Sequence, residues 1–346
     1  MPLKNHIETS LKINPAPLPL SRMLLCSLIT TFPLILGFFK NQLAFAIIGS
    51  LMAFSLILND HFGPIKDRLK HLLISFFFLT LAFFIGAELA GNTWAMASLL
   101  LLSSFFLGKS KDKGLELERL VLFFILHLIA ASDSSWMKEH FFQLIPYLIS
   151  SIGFYIFSLL LINFSFADKP ESISSKRRII KKVMTHTQSN KFSAIFSATV
   201  TIGFLLAHNL HISRGYWVVG TTLIVMIPDT ILSLYKSFQR LLGTFLGVMI
   251  AAFILNISHQ PIMILLFVFI CAFLTPLGLA RNYWLGNIFI AALIMFLLGI
   301  AQVNYSGSLS LALLRATDIG LGCALAFIGT IINNPQFILR QHNSNI

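Results

Sequence analysis

Apolar residues run in stretches of about 17 to 22 along this chain, each long enough to cross a hydrocarbon core roughly 30 Å thick. Short polar breaks separate them. The pattern predicts helices near residues 22–39, 42–58, 69–90, 93–107, 117–131 and 139–163. A second set follows near 192–210, 214–228, 241–256, 260–276, 284–301 and 314–332. Continuous apolar runs read as membrane helices, because the strands of a lipid-facing barrel would alternate polar and apolar positions. The segments at 93–107, 117–131 and 214–228 are short, as befits tilted neighbours, half-helices or helices that continue past their apolar run. The predicted fold is all-α: a polytopic transmembrane bundle of about 12 spans in two six-helix halves.

Polar composition divides the chain further. A lead-in occupies residues 1–21, a first bundle 22–165, a basic linker 166–191, a second bundle 192–335 and a tail 336–346. Pro15, Pro17 and Pro19 keep the end of the lead-in extended. The run from Met23 to Phe39 has no small-residue cleavage site after it, so it reads as a first span and not as a removable signal. Lys176-Arg177-Arg178-Ile179-Ile180-Lys181-Lys182 in the linker suits a helix lying on an anionic leaflet, and equally a solvated tether.

Charge then orients the layout. With both termini in the cytoplasm, 21 of the 25 Lys and Arg fall on that side, against Lys40, Lys138, Arg214 and Arg315 outside. Such a bias is the positive-inside signal of short loops. It also accounts for the net charge of +12 without nucleic acid, since no basic stripe interleaved with aromatics occurs outside the spans. A 56% apolar content, 11% charge and a mean hydropathy of +0.83 exclude an ordinary soluble domain. Cys26, Cys271 and Cys323 lie inside apolar runs and read as core residues.

Two spacings hint at an internal repeat. Asp60 precedes His71 by eleven residues, and Asp229 precedes Arg240 by the same eleven. Gly49 and Gly220 occupy similar places in the preceding spans. Six spans per half give both halves one orientation, hence a parallel repeat about the membrane normal.

The second half carries a resemblance. Tyr216-Trp217-Val218-Val219, Pro228-Asp229, Gln239-Arg240-Leu241-Leu242-Gly243-Thr244 and Gly247 together resemble the signature region of the fusaric acid resistance family, which overlaps the aromatic acid exporters. Arg315-Ala316-Thr317-Asp318 looks like that family's closing Arg-x-x-Asp helix. The resemblance covers residues 195 to 335. It implies a bacterial inner-membrane exporter of small, often aromatic, carboxylic acids, driven by the proton gradient and in some members coupled to a periplasmic adaptor protein. The long family members lead one to expect a large soluble domain between or after the bundles, whereas linker and tail here total only a few dozen residues.

Particular residues carry the candidate chemistry. Arg240, taken to begin a helix at the cytoplasmic face, offers a bidentate guanidinium to an arriving carboxylate, or anchors to headgroups. Arg281 and Arg315 are further candidate anion contacts, and Asn163 and Asn287 either line a path or bond between helices. Trp217 either stacks on an aromatic substrate or belongs, with Tyr216, Tyr283 and Trp284, to an interfacial belt. Asp318 and His127 are candidate proton-coupling groups, since ionisable side chains inside spans are costly unless paired or functional. Arg315 and Asp318, three apart, also suit a plain intrahelical pair, and His127 a bond to a carbonyl. Asp229 suits a helix cap, a pairing with Lys236 or Arg240, or a gate. Gly243 and Gly247, with Gly320 and Gly322, form small-residue faces for helix packing.

No enzyme motif, metal-ligand set or cofactor signature is present: there is no P-loop, GxSxG or HExxH, and His61 and His71 lack a third ligand. The expected function is a secondary transporter of small organic anions, its arginines attracting the anion and its two bundles rocking around the site. The expected partners are that anion, membrane lipid, a periplasmic adaptor and further copies of the chain. The rival readings are a non-transporting membrane scaffold, a passive anion channel and, least favoured, a membrane-embedded acyltransferase.

Overall fold

The computed structural model describes residues 11–61, 63–111, 113–133, 136–165, 186–212, 214–258, 260–301 and 308–335. The first ten residues, most of the linker and most of the tail lie outside them. The helices in chain order are α1 (Leu20–Phe39), α2 (Leu43–Asn59), α3 (Ile65–Glu88), α4 (Thr93–Ser110), α5 (Leu115–Ser132), the single turn α6 (Trp136–Glu139) and α7 (Phe141–Ser165). Beyond the linker come α8 (His186–Asn209), α9 (Tyr216–Val225), α10 (Thr230–Ile257), α11 (Pro261–Arg281), α12 (Tyr283–Ala301) and α13 (Ser308–Asn333). Among the described residues there is no strand.

Each apolar segment read from the sequence falls on one of these helices. Against the expected dozen crossings, eight helices among the described residues are long and apolar enough to span a membrane: α1, α3, α7, α8, α10, α11, α12 and α13. The shorter apolar helices are α2 and α9. Glu116, Glu118 and Arg119 occupy the opening turns of α5 and dilute its apolar character. At a rise of 1.5 Å per residue, α9 covers roughly 15 Å, about half a hydrocarbon core.

The sequence explains why α9 stops. Pro228 disfavours the helical region at the residue before it and cannot donate to a preceding turn. Met226 is already extended, at ψ 112°. Asp229 restarts the helix as its N-cap, its Oδ1 accepting the Leu232 amide at 2.9 Å. The chain therefore runs as a ten-residue half-helix, a four-residue break and a 28-residue helix.

The chain forms two compact units. Unit 1 takes its described residues from Met1–Phe77, His140–Pro170 and Gln239–Ala316; unit 2 takes them from Phe78–Glu139, Glu171–Phe238 and Thr317–Ile346. Each therefore draws helices from both sides of the linker. Within unit 1, α1 packs on α2, α7 and α11, while α12 packs on α11 and α2. Within unit 2, α8 packs on α9 and α4, while α5 packs on α4 and α9. Helices α1, α2, α11 and α12 thus have the same mutual neighbours as α8, α9, α4 and α5 respectively.

Small residues set these contacts. A side chain at Gly37 would overlap the Ala46 methyl between α1 and α2, and one at Gly215 would stand 2.7 Å from the Ala207 methyl where α8 turns into α9. Ala207 and Gly215 follow Gly37 and Ala46 by 170 and 169 positions, so the tight contact recurs with glycine and alanine exchanged. The unit 1 core includes Cys26, Ile29, Met52 and Val268, and Phe32 stacks on Phe154 at 3.8 Å. The unit 2 core gathers Met96, Leu100, Ile125, Phe196, Leu223 and Ala326. Large apolar side chains such as Phe77, Phe106, Phe253 and Ile328 face outward, as lipid contact requires and water would penalise.

Gly247 provides a test of this packing. A side chain there would overlap the Ile288 carbonyl of α12 and stand 3.0 Å from the Ala291 methyl, whereas one at Gly320 meets nothing within 4 Å. Gly247→Ala is expected to destabilise the detergent-purified protein by about 1–3 kcal/mol through overpacking. Gly320→Ala should leave the unfolding temperature unchanged or slightly raised, and thermal unfolding of both variants checks the contrast.

Candidate functional site

Within unit 1, the GxxxG face of α10 brings two polar rows together. Arg240 and Thr244 lie four residues apart on α10, on the side that carries Gly243 and Gly247. Tyr283 and Asn287 lie four apart on α12. A side chain at Gly243 would stand 2.5 Å from the Trp284 carbonyl and 2.9 Å from the Asn287 Cβ. The backbones are therefore close enough for short polar side chains to reach across.

Asn287, only 1% exposed, ties this contact together. Its Nδ2 donates to the Arg240 carbonyl at 3.0 Å and to Thr244 Oγ1 at 2.8 Å. Its Oδ1 accepts from Arg240 Nη1 at 3.2 Å. Nη1 also donates to the Tyr283 hydroxyl at 3.1 Å. The guanidinium is thus aimed from two sides, yet Arg240 Nε is buried without a hydrogen-bond partner. A charged donor left unsatisfied is expensive.

The lead-in closes over the neighbouring turn. Gln239 Nε2 donates to Asn282 Oδ1 at 3.0 Å, and Asn282 Nδ2 donates to the Lys12 carbonyl at 2.9 Å. Trp284 Nε1 reaches the Leu11 carbonyl at 3.3 Å, and Asn14 donates from its amide and its side chain to the Arg281 carbonyl. Tyr283 and Trp284 therefore contribute hydrogen bonds as well as aromatic surface.

A second polar cluster in unit 1 surrounds Asp60. Arg68 binds its carboxylate through Nη2 at 2.5 Å and Nε at 3.3 Å, while Arg22 Nη2 donates to its carbonyl at 2.6 Å. Asn59 Nδ2 donates to Ser75 Oγ at 2.8 Å, and His71 Nε2, facing the Asn59 carbonyl at 3.2 Å, must carry the proton. The His61 and His71 rings meet edge to face at 4.9 Å. Among the described residues, no three His, Cys, Asp or Glu side chains gather as a metal site requires.

Unit 2 holds the helix break. Lys111, at the end of α4 and only 5% exposed, donates its Nζ to the Met226 carbonyl and lies 4.4 Å from the Phe196 ring centre. Ser233 Oγ donates to the Val225 carbonyl at 2.9 Å, and Asn334 Nδ2 donates to the Pro228 carbonyl at 3.1 Å. The carbonyls that α9 cannot satisfy at its end thus find side-chain donors.

The candidate site residues all fall among the described ones, whereas the basic stretch from Lys176 to Lys182 lies outside them. Arg240 does not begin its helix: α10 starts at Thr230, because the Asp229 cap extends the helix two turns and more ahead of the apolar run. Arg315, counted among the outer cations and read with Asp318 on one helix, lies within α13, where both residues are only 3% exposed. His127 Nδ1 faces the Phe123 carbonyl of its own helix at 2.9 Å, so that nitrogen carries the proton. Trp217 stacks edge to face with Tyr216, and the Arg214 guanidinium lies 5.6 Å over its ring. Arg281 ends α11, Asn163 falls in α7, and Glu88 pairs with Lys138 at 2.8 Å. A side chain at Gly322 would stand 2.6 Å from the Val218 carbonyl, whereas Gly320 faces open space.

Two groups escaped the sequence reading. Lys111 was counted among solvated loop cations, because Lys109-Ser110-Lys111-Asp112-Lys113 looks like any positive-inside loop. The Gln239, Asn282 and Thr244 partners of the Arg240 network are uncharged, and only their recurrence beside one cation at the starts of two apolar runs could have marked them.

Comparison with known proteins places this geometry. Residues 199–329 match the family model described as fusaric acid resistance protein-like. An uncharacterized protein of Synechocystis sp. is 33% identical over 132 residues, which is 37% of this chain and 17% of that protein. This chain therefore aligns with only a small part of that relative. No solved structure matches.

Asn287→Ala removes three hydrogen bonds and leaves the Arg240 guanidinium with Tyr283 alone. It is expected to destabilise the protein by about 1–3 kcal/mol. Asn287→Asp should retain the Arg240 contact while losing the two Nδ2 donors, and thermal unfolding in detergent should rank it between wild type and Asn287→Ala.

Proposed function

We propose that this chain, a member of the fusaric acid resistance protein-like family over residues 199–329, moves small organic anions across the membrane, aromatic carboxylates foremost. It is a multi-pass membrane protein with the character of a transporter. The observation that carries the reading is the buried Arg240 Nε: a guanidinium aimed by Tyr283 and Asn287 keeps one N–H for another acceptor. A carboxylate suits it, since two oxygens match the fork of a guanidinium and charge-assisted bonds are the strong ones.

The same reading assigns the coupling to protons. Asp318 is a buried carboxylate within an apolar helix, a setting in which ionisable side chains are paired or functional, and the reading gives it the proton. His127 is the lesser candidate, because one of its nitrogens already serves its own helix. The recurrence of one neighbour scheme in both units, with the Gly37–Ala46 contact answered by Ala207–Gly215 and Asp60 by Asp229 at 169 or 170 positions, favours a duplicated chain. We place the protein in a bacterial inner membrane with both termini inside, as the cation distribution favours. Adaptor coupling and assembly with further copies belong to the same reading.

Reconstitution into liposomes tests it. With a pH gradient imposed, wild-type protein should move 4-hydroxybenzoate or fusaric acid, and Arg240→Ala should cut the initial rate at least tenfold, the loss of about 1.4 kcal/mol or more of binding. Arg240→Lys should rescue only in part, because an ammonium lacks the fork. Wild-type flux from an Arg240→Ala, Asp318→Asn double variant would overturn the assignment. Flux that follows voltage without proton movement would indicate a channel, and the absence of any flux a scaffold.

A further inference from the structure

The lead-in ahead of α1 is built as an arm with an anchor at one end and a latch at the other. Pro15, Pro17 and Pro19 fix φ and supply no N–H, so the arm stays extended and stiff. Its anchor is Pro19, buried at the N-cap of α1, where its carbonyl accepts the Met23 amide at 2.9 Å. Side chains along the arm face outward: Ile13 is 52% exposed and Leu18 60%. In unit 2 the segment that meets the end of α4 is the start of α8, a continuous helix whose Asn190 accepts from Lys109. Unit 1 has the extended arm at the matching place.

The latch is four hydrogen bonds onto the turn between α11 and α12. Leu11 and Lys12 offer consecutive carbonyls to Trp284 Nε1 and Asn282 Nδ2. Asn14 gives its amide and its Nδ2 to the Arg281 carbonyl at the end of α11. Bonds of this kind contribute little net, because water replaces them on opening. The latch can therefore be undone.

What the latch grips decides its role. Asn282 and Trp284 flank Tyr283, whose hydroxyl receives Arg240 Nη1. Asn282 Oδ1 in turn accepts from Gln239, which precedes Arg240 on α10. One amide side chain thus joins the arm, the α11–α12 turn and α10, all within unit 1. Arg240, with its buried Nε, and its partner Tyr283 each stand one residue from a member of this joint.

We propose that residues 11–14 are an autoinhibitory strap over the Arg240 site. Latched, they close it to anions; their release from Arg281, Asn282 and Trp284 opens it. The tether at Pro19 keeps a released arm close to the turn, so relatching is fast and the closed form prevails. The proposal rests on the anion-transport reading for what the opening admits.

Phenylglyoxal, which condenses with accessible guanidinium groups, reports opening without any transport. Mass spectrometry of the detergent-purified full-length protein follows its reaction at Arg240 and at Arg68, which Asp60 holds. Asn14→Ala and Trp284→Phe each remove one latch bond. Together they should raise the Arg240 rate about tenfold and leave the Arg68 rate unchanged. The initial flux of 4-hydroxybenzoate into liposomes should rise as well. An unchanged Arg240 rate, or a parallel rise at Arg68 from general loosening, would overturn the strap. Faster Arg240 modification in a protein that moves no acid supports the strap and overturns the transport reading. Wild-type flux, with neither measurement responding to the double variant, overturns the strap alone.

Discussion

Helices surrounded by lipid gain nothing from burying apolar surface against one another, so their association depends on close approach and on polar groups that find partners inside the protein. The contact of α10 with α12 shows what that constraint does here. Gly243 and Gly247 remove the side chains that would hold the helices apart. Once the backbones meet, a residue as short as Asn287 reaches both the carbonyl and the guanidinium of Arg240. Packing thus aims the charge. A larger residue at either glycine would move α10 and take Arg240 out of reach of Tyr283, whether or not the overall bundle survived.

The same constraint explains the broken segment in unit 2. A half-helix ending at Val225 exposes carbonyls that no water can serve in an apolar setting. Lys111 and Ser233 supply donors, and the Lys111 charge is further shielded by the Phe196 ring. A lysine this deeply buried is tolerated because a strong acceptor and an aromatic face replace its hydration. The break is consequently held by side chains from α4 and α10 and does not depend on its own backbone.

Much of this architecture was legible in the sequence, for a physical reason. Apolar runs must match the bilayer, so their lengths and boundaries announce the helices, and each predicted segment falls on one. Pro228-Asp229 announced the break and the cap, because proline and an Asx side chain act locally. Arg240 was legible as a candidate but not as a mid-helix residue, since its helix begins in the mixed polar and apolar stretch Thr230 to Gln239, ahead of the continuous apolar signal. The exchange of α4, α5, α11 and α12 between the compact units was not legible at all. Hydropathy reports which segments avoid water and says nothing of which segment lies beside which. Lys111 illustrates the same limit, because its acceptor lies 115 residues away.

Asp60 and Asp229, 169 positions apart, meet the end of a short apolar helix in different ways. Asp60 is buried and its carboxylate is bound by Arg68, with Arg22 on its carbonyl, so its carboxylate and its carbonyl each have a charged donor. A buried pair of that kind contributes order more than stability, since desolvation offsets most of the attraction. Asp229 is exposed and caps a helix through one amide. Eleven residues beyond it the second half places Arg240, with one N–H to spare, where the first half places His71, bonded to the Asn59 carbonyl. Of the two positions that share this spacing, one bonds a backbone carbonyl and the other keeps a buried Nε without a hydrogen-bond partner. In the reading proposed above, the first of these positions belongs to the frame and the second, within the stretch that matches the family, to the charge that meets the anion.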